Sequence, residues 1–227
     1  MASRAPLPEH VVLCDADAAF CEAARARLGQ GEGLEVTHGR LEELSGVDCV
    51  VWPGNSQGIP ASGLDAALTR WLGPGPLEHA RERILAEFGE EGAPAGSAWL
   101  VPTGGGLARG GATTEDLPEC VVYAVVFPRC REGPRFAMRG ALEVLSRHNA
   151  EVERASEPAG AGAKRSSAGP LRRIARAACP GLGTFTGSPD AVEIAEAMVE
   201  VWREFAGSQA CARGSQGAGA GSSGSCA

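Results

Sequence analysis

A chain of 227 residues with 44% apolar and 22% charged content can bury one sizeable core, so an extended disordered protein is excluded. The formal charge of −7, with no basic stripe in the patterned segments, argues against general nucleic-acid binding. No stretch approaches the roughly 18 consecutive apolar residues of a membrane span, and Met1 to Pro8 lacks the apolar core of a signal peptide. A soluble, non-secreted protein of the cytoplasm or nucleus, with no membrane partner, is therefore expected.

The first patterned segment, His10 to Cys14, reads as a buried strand. The acidic turn Asp15-Ala16-Asp17 follows, with Asp17 as N-cap of a helix to about Leu28 whose Phe20 and Ala24 start an inward stripe. Leu34 to His38 and Asp48 to Trp52 are predicted strands. The order β, α, β, β departs from a regular alternating dinucleotide fold. Trp52-Pro53-Gly54-Asn55-Ser56-Gln57-Gly58 is a glycine-rich turn, and Ser62-Gly63-Leu64-Asp65 then opens a helix to Leu72 with Leu64 and Leu68 facing inward.

A helix from about Pro76 to Phe88 comes next, followed by strands at Ser97 to Pro102 and Glu119 to Phe127. The separator from Gly104 to Pro118 is either a lid or an ordinary irregular loop. Pro134 to about Asn149 is a helix with Leu142 and Leu145 toward the core, and residues 155–170, rich in Ala, Gly and Ser, have no apolar face and should be flexible. Arg172 to Cys179 is the least patterned strand. It ends in a second glycine-rich turn, Cys179-Pro180-Gly181-Leu182-Gly183-Thr184-Phe185-Thr186-Gly187. Ser188, Pro189 and Asp190 start a last helix carrying Ile194, Met198, Trp202 and Phe205 at packing spacing, and residues 208–227 read as a disordered tail.

About six strands with helices for both faces make a three-layer α/β/α sandwich around a mixed sheet, in one domain over residues 9–207. In such folds ligands collect beyond the carboxyl ends of the strands, where the Asp15, Asn55 and Gly183 segments are expected to converge. Glycines there let backbone N–H groups approach an anion, which points to a phosphate-bearing nucleotide. Tight-turn geometry alone is the competing explanation. The eight cysteines include no C-x-x-C pair and fit reduced thiols in a reducing compartment. His38, His79 and His148 form neither a zinc motif nor a triad, so no metal or cofactor is expected. The turns also lack the order of a P-loop.

Val50 to Gly73, Gly96 to Thr103, Val121 to Pro128 and Pro180 to Phe205 together resemble a macro domain, in its bacterial and phage branch, with Pro53-Gly54-Asn55-Ser56-Gln57-Gly58 and Pro180-Gly181-Leu182-Gly183-Thr184 as the matching loops. The resemblance implies binding of ADP-ribose or of an ADP-ribosylated macromolecule. Asn55 would sit near the distal ribose and the Gly63 and Gly183 loops around the diphosphate. Asp15, Asp17, Gly58, Gly181, Leu182, Thr184, Phe185 and Gly187 complete the expected binding set. Asn55 and Asp65 are the candidate catalytic residues if the chain is instead an ADP-ribosyl or ADP-ribose-phosphate hydrolase.

Departures from the family pattern are also visible. Gly39 is followed by Arg40 where the family places an aspartate that reads adenine, so Asp15 or Asp17 would have to replace it. Only Asn55 matches the family's Asn-Ala-Ala-Asn pattern, and Ser62 and Phe185 stand where glycines are usual. Lys164, the chain's only lysine, falls in the low-complexity segment, against a lysine-dependent hydrolase. If Phe185 fills the diphosphate site, the chain is a degenerate, non-catalytic scaffold.

Overall fold

The computed structural model describes residues 6–28, 33–103, 117–127, 132–156, 172–184 and 191–217. Its strands are β1 (His10–Asp15), β2 (Leu34–His38), β3 (Cys49–Asn55), β4 (Ala98–Pro102), β5 (Cys120–Phe127) and β6 (Arg176–Cys179). The helices are α1 (Ala18–Arg27), α2 (Leu64–Leu72), α3 (Gly75–Phe88), α4 (Gly133–Ser156) and α5 (Ala191–Gly217).

The six strands form one mixed sheet in the order β2-β1-β6-β3-β5-β4, in which only β4 runs antiparallel to its neighbour. Alternation along the central strands explains both faces. Val11, Leu13, Cys49, Val51, Val122, Ala124 and Val126 join the core under α1, α4 and α5, while Val12, Cys14, Val50, Trp52, Val121, Tyr123 and Val125 join the one under α2 and α3. A strand covered on both sides is apolar at consecutive positions, which is why these runs lack polar interruptions. Burying each such side chain contributes about 1.5–3 kcal/mol, so the two cores dominate stability.

Asp17 caps α1 as expected, accepting from the amides of Ala19 at 2.8 Å and Phe20 at 3.2 Å. The strand of weakest pattern, β6, lies in the middle of the sheet between β1 and β3. Two side chains dock the chain there. Asp48 Oδ2 accepts from the amides of Ala175 and Arg176 at 2.8 Å each, and Asn149, fully buried, pairs with both backbone groups of Ile174 at 2.9 Å.

Two helices outrun their expected ends. α4 continues to Ser156, with Val152 buried, because Ala150 to Ala155 keeps strong helix formers in phase with the core. α5 continues to Gly217, so residues 208–217, expected as disordered tail, are helical. The expected flexible segment beyond Ser156, the caps at 188–190 and the separator at 104–116 lie outside the described residues. Among the described residues no helix is long and apolar enough to cross a membrane.

Candidate functional site

Five parallel strands bring Asp15, His38, Asn55, Phe127 and Cys179 to one edge of the sheet. Beyond that edge the chain must leave the sheet, and the bends after β1, β2, β3 and β6 line a cleft with two lobes. The inner lobe, about 280 Å³, is lined by residues that include Pro53, Asn55, Ser62, Asp65, Phe127 and Gly183. The outer lobe, about 340 Å³, is lined by residues that include Asp15, Arg40, Glu42, Gly63, Arg70 and Pro180. Leu64 lines both lobes, and Gly63 and Pro180 of the outer one are followed in the chain by residues of the inner one. The first turn of α2 therefore stands at the seam.

Gly63 caps α2 with φ +68°, and a β-carbon there would meet nothing within 4 Å, so the backbone is open toward the cleft. The first amides of a helix have no partner within it and carry the positive end of the helix dipole. A seam lined by such amides is chemically suited to an anion.

The polar side chains around the cleft are largely engaged with the protein's own backbone. Asn55 donates through Nδ2 to the Ile59 carbonyl at 2.7 Å, and its Oδ1 accepts from the amides of Gln57 at 3.1 Å and Ile59 at 3.2 Å. It shapes its own loop. Asp65 is 8% exposed, accepting from the Trp52 indole at 2.6 Å and the Ala61 amide at 3.1 Å, so it ties the loop that follows β3 to the start of α2. Burial pushes the Asp65 carboxyl above its usual range, against the lowering effect of those two donors.

Asp15, expected as a ligand group, is a buried tether. Its Oδ1 accepts from the Asp17 amide at 2.8 Å, and its Oδ2 from the Gly181 amide at 2.8 Å and the Thr184 hydroxyl at 3.1 Å. The carboxylate at the end of β1 thus holds the bend after β6. This geometry also changes the reading of that bend. The Gly181 amide points at Asp15, the Thr184 hydroxyl is used there too, and Leu182 is fully buried with its amide on the Met198 sulfur at 3.4 Å. At Gly183, φ +106°, a β-carbon would meet Val126, Pro134 and Ile194 at 3.6–3.9 Å, so that side of the residue faces the core while its backbone lines the inner lobe.

Two further expected residues lie away from both lobes. Asp17 caps α1, and Gly58 packs against the backbone of Arg81. Phe185 and Gly187 fall outside the described residues. The structure therefore brings Asp15, Asn55, Gly63, Asp65, Gly181 and Gly183 around one cleft. Sequence reasoning missed Phe127, Leu64, Glu42 and Arg70 as lining residues. Phe127 closes an apolar strand and gave no signal of its own, whereas Arg70 lies two helical turns from Gly63 and was legible from that spacing.

Close packing under the inner lobe is strict. A β-carbon on Gly54 would fall 1.9 Å from the ring of the fully buried Tyr123, whose hydroxyl donates to the Asn55 carbonyl at 3.0 Å. The motif's glycine is needed there to admit the aromatic ring below it. The three histidines noted in the sequence contact backbone carbonyls, and among the described residues no cluster of metal-ligating side chains occurs. The five described cysteines are free, and burial raises the Cys14 thiol to about 12.

No protein-family model and no curated protein matches the sequence. Among solved structures the chain is similar to the Oceanobacillus iheyensis macrodomain with MES bound, at 15% identity and TM-score 0.52 over 76% of this chain and 75% of that one. An asparagine-to-alanine mutant of the same protein aligns at 14% identity and TM-score 0.51, covering 74% of this chain and 71% of that chain. An aspartate-to-alanine mutant aligns at 14% identity and TM-score 0.50, covering 90% and 84%. The likeness is one of fold, and this chain has the α/β/α fold of the macrodomains.

Proposed function

We propose that the chain binds ADP-ribose, free or attached to a macromolecule, in the two-lobed cleft at the carboxyl edge of the sheet. The observation that carries this reading is the placement of the α2 N-terminus at the seam of the lobes, with Gly63 leaving its backbone open. A diphosphate at the seam would meet the first amides of α2, a nucleoside would occupy the outer lobe, and the distal ribose would reach the inner lobe beside Asn55 and Phe127. Lobes of about 280 and 340 Å³ suit the two halves of such a ligand. The Oceanobacillus iheyensis macrodomain has itself been solved with ADP.

Binding is better supported than turnover. The acceptor atoms of Asn55 and Asp65 are engaged by the indole of Trp52 and by backbone amides, so each would have to exchange a partner before orienting water. Here they act as the frame of the inner lobe. Isothermal titration with ADP-ribose, ADP, AMP and NAD tests the reading. ADP-ribose should bind more tightly than AMP, because only it spans the seam and the inner lobe. Equal affinity for both would remove the diphosphate and distal ribose from the assignment.

A further inference from the structure

The charged side chains lining the outer lobe are Asp15, Arg40, Glu42 and Arg70, and their acceptors and donors are unequally spent. Both carboxylate oxygens of Asp15 are taken by donors from the protein. Glu42 is paired with Arg40, its Oε1 lying 3.0 Å from the guanidinium Nε. Arg70, exposed in the last turn of α2, has no ion pair or hydrogen bond among the described residues. Gly63 and Leu64 add the positive end of α2 to the same lobe. What remains for a ligand is the Arg70 guanidinium, the remaining donors of Arg40 and the second oxygen of Glu42.

Arg40 and Arg70 cannot serve an adenine amino group, which needs an acceptor, because a guanidinium offers only donors. The two side chains match an anion. A phosphate monoester carries about −1.5 to −2 charges at neutral pH and presents oxygens in the geometry a guanidinium fork prefers. Dinucleotide-binding folds show the same exchange in another setting, where an acidic residue holds a ribose 2′-hydroxyl and an arginine accommodates a 2′-phosphate.

We infer that Arg40 and Arg70 make the outer lobe a second anion subsite, so that ADP-ribose phosphorylated on the 2′-hydroxyl of its adenosine binds more tightly than ADP-ribose itself. The inference rests on the cleft being the ADP-ribose site. Glu42 orients Arg40 within the lobe, and the phosphate shares that arginine while drawing on Arg70. The Arg40 side chain is 60% exposed, so solvent screening keeps the gain modest, at about tenfold in affinity.

The test is isothermal titration of the full chain, at fixed ionic strength, with ADP-ribose and with ADP-ribose 2′-phosphate. The unsubstituted protein should prefer the phosphorylated ligand by about tenfold, and raising the salt should shrink that preference. In Arg40→Ala and Arg70→Ala proteins the ratio should fall, and in the double variant it should approach one. Equal or weaker binding of the phosphorylated ligand to the unsubstituted protein overturns the inference while leaving ADP-ribose binding intact. A preference that survives in the double variant overturns the assignment to these arginines. No heat with either ligand overturns the underlying binding proposal.

Discussion

Replacing Asp15 by Asn probes the tether between the first and last strands of the cleft with almost no change in volume. The native carboxylate accepts from two backbone amides and one hydroxyl, at 2.8, 2.8 and 3.1 Å. An asparagine has a single acceptor oxygen. If it faces Gly181 and Thr184, its NH₂ group is turned toward the Asp17 amide, donor against donor. One hydrogen bond to a charged acceptor is then lost, about 1.5–3 kcal/mol, and the other two fall to neutral strength. Relief of burying a charge offsets part of this. The net destabilisation should be about 2 kcal/mol, read as a lower denaturation midpoint at unchanged m-value. A Thr184→Val change removes the hydroxyl alone and should cost about 1 kcal/mol in the native background, but less once Asp15 is Asn. A loss under about 0.5 kcal/mol for Asp15→Asn, or strict additivity of the two changes, would refute the tether.

Gly54→Ala should destabilise by about 3 kcal/mol or more in urea titration, since the new methyl must displace the buried Tyr123 ring that lies 1.9 Å from it. Wild-type stability would contradict this. Asp65 yields a pH signature whose sign follows from burial. Its folded pKa is raised above 3.8, so the stability linked to its protonation is present below that value and is lost as pH rises through the folded pKa. Asp65→Asn should flatten that part of the stability profile in acid denaturant titrations, and an unchanged slope would show that the carboxyl is not the source. Trp52→Phe removes the 2.6 Å indole donor to Asp65 and should lower stability by about 1.5–3 kcal/mol, with the ligand titration reporting any loosening of the inner lobe.

How far the sequence carried these conclusions depends on how local each feature is. Runs such as Val121 to Val126 marked buried strands because apolar neighbours on both faces require consecutive apolar residues. The Asp17 cap was legible because its partners lie two and three residues away. The strand β6 was faint for the opposite reason. Four residues rich in alanine carry little pattern, and the groups that dock it, Asp48 and Asn149, are 127 and 25 residues distant in the chain from their partners. The cleft itself followed from glycine-rich bends placed at strand ends. Which polar groups would face the ligand did not follow, because Asp15 meets Gly181 and Thr184 only after β1 and β6 pair, across 166 and 169 residues. The proposed binding set accordingly puts the weight on the amides of α2 and the arginines of the outer lobe, with the Gly181 amide and the Thr184 hydroxyl held by Asp15.

The most direct test follows backbone amide resonances of the isotopically labelled chain while ADP-ribose is added. Saturable shifts should be largest at Leu64, Asp65 and Ala66, with smaller ones through residues 181–184 and at Asn55, mapping the ligand onto the seam. No saturable shifts, or shifts confined to residues away from the two lobes, would contradict a phosphate seat at the start of α2.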